Sequence, residues 1–219
     1  MLLKEIKLLL HKELLLEWKQ KYAFNGLLMY VISTVFICYM SFRQIVDPPT
    51  WNALFWIILL FAAVNGAAKS FMQESRGRQL YQYTLASAQS VILSKMIYNQ
   101  VLMLLLGVIN LLFYSLFVGN PVQNMPMFLA GVMLGSFGFA SALTMISAIA
   151  SRAGNNTTLM AILGFPVLIP LLITIIRFSK NAMDGIAWVE TYRYFIILLA
   201  LNVLIAALSF LLFPYLWRE

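Results

Sequence analysis

Few side chains in this 219-residue chain could carry out chemistry. There is one histidine, His11, and one cysteine, Cys38. A zinc site needs three or four Cys, His or carboxylate ligands close together, and these residues cannot assemble one. A lone thiol inside an apolar run is more often a small buried group than a reactive one, and a single cysteine closes no disulfide within the chain. Intramembrane hydrolysis by a serine–histidine pair needs a His at membrane depth, whereas His11 lies in a charged N-terminal stretch. A paired-aspartate site needs two facing carboxylates, but Asp47 and Asp184 fall in connecting segments. The HExxH, GxSxG and phosphate-cradling GxxxxGK[ST] patterns are all absent. The chain therefore reads as a non-catalytic protein with no metal site and no directly bound cofactor, unable to hydrolyse ATP by that route alone.

The remaining polar groups in apolar surroundings are mainly Asn65, Asn110, Thr174 and Asn202. They read as helix–helix hydrogen bonding or, less simply, as transport ligands. Two further patterns concern packing. Gly131, Gly135, Gly138 and Ser141 line one run, and the first two make a GxxxG that lets helix backbones approach. This serves packing within the chain or a dimer face. Pro166 and Pro170, four apart in GFPVLIPLLITII, oppose regular helical backbone. They make either a static kink or a moving, cavity-lining element.

The elements that must position these residues follow from composition. Hydrophobic residues make up 62% and charged ones 11%, and the mean hydropathy is +0.86. So little charge cannot cover a water-soluble domain, and the net charge of +7 then needs a place other than a nucleic-acid surface. A spanning helix takes about 20 apolar residues. Six stretches qualify: Tyr22–Phe42, Trp51–Ala68, Ile97–Val118, Met127–Ala150, Thr157–Ile176 and Tyr194–Trp217. The fold class is an all-α integral membrane protein with six transmembrane helices. With a cytoplasmic N-terminus, the inner segments carry Lys4, Lys7, Lys12, Lys19, Lys21, Lys69, Arg76, Arg78, Lys95, Arg152 and Arg218. Only Arg43, Arg177, Lys180 and Arg193 lie outside. The positive-inside bias places both termini in the cytoplasm.

Residues 1–21 form a separate element, since charges interrupt the run and no small-residue cleavage site follows. Read as a helix, Leu2, Leu3, Ile6, Leu9, Leu10 and Leu16 share one side, and Lys4, Lys7, His11, Trp18 and Lys21 the other. A basic amphipathic helix of this kind is expected along the cytoplasmic interface, as a membrane anchor or a partner-docking element. The second element is residues 22–219, with a long inner loop at about 69–96. Its first part holds Glu74, Arg76, Gly77 and Arg78, followed by Tyr81 and Tyr83, which suit a headgroup layer or a protein groove. The loop either docks a cytoplasmic partner or rests on the membrane.

This layout resembles the membrane subunits of ABC-2-type transporters, and more closely the haem exporter protein B family, CcmB, of cytochrome c maturation. The resemblance rests on ESRGRQLYQYTLASAQSVILSK, SFGFASALTMISAIASRAGNNTTLMAIL and the Pro-xxx-Pro segment GFPVLIPLLITII. It covers nearly the whole chain. The loop departs from the family pattern where LASAQS carries no proline. The resemblance implies a subunit in the bacterial inner membrane working with a cytoplasmic ATPase (CcmA-like), CcmC-like and CcmD-like membrane proteins and a CcmE-like haem chaperone. It also implies that haem and ATP are handled by those partners, and that a six-span half needs a second copy of itself or another subunit. On this reading the ATPase docks around Glu74, Arg76, Gly77, Arg78, Tyr81 and Tyr83. Other readings are an ABC-2-type permease for a lipid or drug and a membrane scaffold without transport.

Overall fold

The computed structural model describes residues 2–20, 22–42, 46–71, 86–153 and 157–218. Among the described residues the regular structure is all helical. Helix α1 covers Leu2–Gln20, α2 Tyr22–Phe42, α3 Pro48–Phe71, α4 Ala88–Val118, α5 Met125–Arg152, α6 Thr157–Met183 and α7 Trp188–Arg218. Six of these, α2 to α7, are long and apolar enough to cross a membrane. Helix is the outcome because a spanning backbone must satisfy each N–H and C=O within its own segment.

Local chemistry sets the helix ends. Asp47 precedes α3 and accepts a hydrogen bond from the Thr50 N–H at 3.2 Å. Bonds from the Thr50 side chain and backbone hold its carboxyl below the usual carboxylate range. Asn124 caps α5, accepting from the Met127 N–H at 3.2 Å, with Pro126 in the first turn. Helix α4 stops at Gly119, whose φ of 94° a side chain would oppose.

Helix α5 is the axis of the bundle, packed on α3, α4, α6 and α7. Of its most apolar window 78% is buried, against 22% in α2 and 17% in α7. The small residues in GSFGFASALTMISAIA explain this, because they let neighbours approach from every side. The main core joins α2 to α7 around Trp51, Phe55, Trp56, Tyr114, Phe128 and Phe139. A second cluster gathers Phe71, Val91, Ile92, Met96, Met145, Ala148 and Phe213 where α3 and α7 end and α4 begins. This end, which also carries α1, is the terminal end; Trp51, Gly119 and Ser179 mark the far end.

Three expectations change. The third apolar stretch extends back to Ala88, so residues 88–96 are the first turns of α4, and residues 69–71 belong to α3. The segment between the two helices is therefore 72–87. Lys95, expected in a solvated inner segment, is a helical residue only 4% exposed. Leu3, expected on the apolar side of α1 with Leu2 and Ile6, is 75% exposed.

Candidate functional site

The residues expected to dock a partner, Glu74, Arg76, Gly77, Arg78, Tyr81 and Tyr83, lie outside the described residues. The structure does describe the frame that holds both ends of their segment, from Phe71 to Ser87. That frame is built by three glutamates of α1 whose spacing puts them along one side of the helix.

Glu5 sits at the amino end of α4. Ser87 is the N-cap there, and its hydroxyl faces the Ser90 N–H at 3.4 Å. In a capping box the third helical residue reaches back to the N-cap N–H. Here that residue is Ser90, and Glu5 from another helix does the reaching. Its Oε2 accepts from the Ser87 N–H at 3.2 Å and from the Ser87 and Ser90 hydroxyls, each at 2.8 Å. These bonds, Ser90's first, hold the Glu5 carboxyl below its usual range, and the positive end of the α4 dipole favours the same charge. Glu17 plays the matching part for α2. Its Oε1 accepts from the Phe24 N–H at 2.6 Å, and its Oε2 from the Tyr98 hydroxyl at 3.0 Å.

Glu13 lies between them, 3.4 Å from Lys95 Nζ and 3.4 Å from Lys12 Nζ. A cation as buried as Lys95 needs a partner to offset its lost hydration. It has the Glu13 carboxylate, and its ammonium also stands 4.9 Å from the centroid of the Phe71 ring. Phe71 in turn meets Phe213 at 5.6 Å. One end of the 72–87 segment is thus tied to α1 through Lys95, and the other through Glu5. The pairs 5–87, 13–95 and 17–98 advance together, so α1 runs parallel to the first three turns of α4.

The small-residue face of α5 meets α6. A Cβ on Gly131 would stand 3.1 Å from the Phe178 ring, and one on Gly138 2.7 Å from Leu171. On Gly135 it would collide with Ile175 and stand 2.7 Å from Trp56. The partners descend α6 as the glycines ascend α5, so the two helices interlock antiparallel. Pro166 and Pro170 lie within α6, on its exposed side.

A polar knot clamps the far end. Ser179 Oγ accepts from Trp56 Nε1 at 2.9 Å and lies 2.8 Å from Asn52 Oδ1, while Asn52 Nδ2 donates to the Ile176 carbonyl at 2.9 Å. Trp51 Nε1 donates to the Gly119 carbonyl at 2.9 Å. Of the four polar residues singled out in the sequence, two bridge helices. Asn110 donates to the Phe55 carbonyl at 3.3 Å, and Asn202 to the Leu134 carbonyl at 3.2 Å. Asn65 and Thr174 bond back to their own helix, at Phe61 and Pro170. The pairs Asn99–Thr144 at 2.7 Å and Gln100–Ser141 at 2.8 Å tie α4 to α5. Sequence reasoning passed over these pairs and the three glutamates. The glutamates were findable: 5, 13 and 17 recur at helical spacing on the side away from Lys4 and Lys7.

Neither a characterised relative nor a solved structure matches the chain. The family model described as CcmB protein matches residues 4–215. Among the described residues, seven helices, six of them long apolar spans, agree with such a match along nearly the whole length. The chain belongs to the CcmB family, the haem-exporter membrane subunits of ABC-type systems.

Proposed function

We propose that this protein couples ATP hydrolysis by a cytoplasmic partner ATPase to haem delivery, or to release of the haem-loaded chaperone on the opposite side of the bacterial inner membrane. The terminal end faces the cytoplasm, where the positive-inside bias puts it. The ATPase docks on the segment Glu74–Ser87, with CcmC-like and CcmD-like proteins alongside, and haem and ATP stay with the partners. Helix α1 supports docking by bracing the residues that flank the segment.

The observation that carries this reading is that Phe71, just before the segment, and Ser87, at its end, are both tied to α1. Phe71 lies under Lys95 and Ser87 lies under Glu5. Force applied to the segment therefore passes to α3 and α4 together, and from α4 to α5 through the Asn99–Thr144 and Gln100–Ser141 pairs. Those pairs bond the two helices directly across their contact, as a coupling interface requires.

The test is charge reversal at Arg76 and Arg78, followed by co-purification with the ATPase. Loss of the ATPase, with the variant still folded in the membrane, is the expected result. Undiminished recovery together with normal cytochrome assembly would overturn the docking assignment.

A further inference from the structure

Helix α1 sorts its charges by side. Glu5, Glu13 and Glu17 all turn toward α4 and α2, as their hydrogen bonds require. Lys4, Lys7, His11 and Lys19 are exposed. So are Leu3, Leu8, Leu14, Leu15 and Trp18, with Leu8 at 71% and Trp18 at 77%. The exposed positions 3, 4, 7, 8, 11, 14, 15, 18 and 19 follow helical spacing and form one continuous face. That face mixes ammonium groups with large apolar side chains and holds no carboxylate.

Its depth follows from the packing. Helix α4 has 31 residues, a length of about 46 Å at about 1.5 Å per residue, against about 30 Å of hydrocarbon. With its far end at the membrane face, the first turns of α4 stand in and just beyond the opposite headgroup layer. Those turns, Ser87 to Tyr98, are where α1 lies. Helix α1 packs on α4 and α2 and runs along α4, so its other face looks away from the bundle with Trp18 and Lys19 nearest the hydrocarbon boundary and Lys4 and Lys7 farther out on the headgroup side. Lysines on such a face suit an acidic headgroup surface, and Leu and Trp side chains the acyl boundary.

We propose that this outward face of α1 binds anionic phospholipid of the cytoplasmic leaflet, with Lys19 holding a phosphate beside the inserted Leu14, Leu15 and Trp18, and with Lys4 and Lys7, farther out, drawn to the acidic surface. The inward turn of all three glutamates removes the repulsion that a helix of this composition would otherwise set against an acidic headgroup. Each basic residue near such a surface adds to the attraction.

The test is native mass spectrometry of the full chain released from nanodiscs holding equal amounts of phosphatidylglycerol and phosphatidylcholine. The wild type is expected to retain phosphatidylglycerol several-fold over phosphatidylcholine. The triple variant Lys4→Gln, Lys7→Gln, Lys19→Gln is expected to lose that preference, and the triple Lys→Arg variant to keep it. Hydrogen exchange of α4 confirms that the variants are folded. Equal retention of the two lipids by the wild type, or an unchanged preference in the Gln variant, would overturn the proposal. So would protection of Lys4 and Lys7 from acylation that depends on added ATPase and not on lipid charge, since the face would then be a protein contact. Because these lysines lie outside Glu74–Ser87, failure here leaves the docking segment untouched.

Discussion

Glutamate and glycine carry the most structural consequence per residue in this chain. Gly135 has no room for a Cβ between Ile175 and Trp56, and helices at membrane depth gain stability chiefly from such close approach. Gly135→Val is expected to destabilise the bundle by about 1–3 kcal/mol through overpacking, read as a lowered midpoint of thermal unfolding in detergent. Gly164 offers the internal control. A Cβ there meets Leu168 at 3.4 Å and Ile146 at 4.0 Å, an ordinary contact, and Gly164→Ala is expected to leave the midpoint unchanged or raise it. Ser179→Ala removes the acceptor of the Trp56 indole and the neighbour of Asn52. Leaving those buried groups unpaired costs about 1–3 kcal/mol, and the same melting measurement reports it. Ser179→Thr keeps the hydroxyl and separates loss of the bond from a general packing defect.

At the scale of the element, α1 is a strap whose hold depends on charge. The Glu5 carboxyl is held below its usual range by Ser90 and Ser87. A group whose folded value is depressed contributes stability above its unfolded value, and that contribution fades as pH falls through the folded value. Amide exchange over residues 2–10, corrected for its intrinsic pH dependence, is therefore expected to rise as pH drops below the ordinary carboxylate range. In Glu5→Gln the same region is expected to exchange faster at neutral pH and to lose the acid-dependent rise. Constant protection of the wild type down to acid pH would show that apolar contacts such as Ile6 and Leu9 hold the strap alone. Much of this architecture was legible in the sequence, because six runs of about 20 apolar residues admit little besides spanning helices. The boundaries were less so. Lys95 made the first turns of α4 look like part of the inner loop, since nothing in a single sequence announces that Glu13 awaits it. The direction of α1 was also hidden. Its amphipathic pattern fits a helix on a membrane surface, and only the paired register of 5, 13 and 17 with 87, 95 and 98 shows it running along α4.

Across the whole molecule, orientation and coupling become testable together. Cys38 is the single cysteine, so Cys38→Ser gives a clean background for labelling. In that background His11→Cys is expected to react with an impermeant maleimide only in opened cells, and Lys180→Cys already in intact ones; the reverse pattern would invert the topology. Coupling then turns on α6, whose two halves are held differently. From Leu171 to Met183 it is locked into α5 by Phe178, Ile175 and Leu171, and to α3 by Ser179. From Thr158 to Pro170 most side chains face outward, including Ile162, Phe165 and Ile169. Pro170 stands at the boundary, and each proline deprives the helix of one backbone bond, so under the proposed coupling a displacement at the terminal end would concentrate there. Replacing both prolines with Ala opens no buried cavity, because both are exposed, and restores two bonds to the helix. The double variant is expected to melt no lower than the wild type, to support ATP hydrolysis by the assembled complex, and to release the haem-loaded chaperone several-fold more slowly. Unchanged release would make the bend a static feature and move the hinge to the α4–α5 interface, where Asn99 and Thr144 would be the next residues to vary.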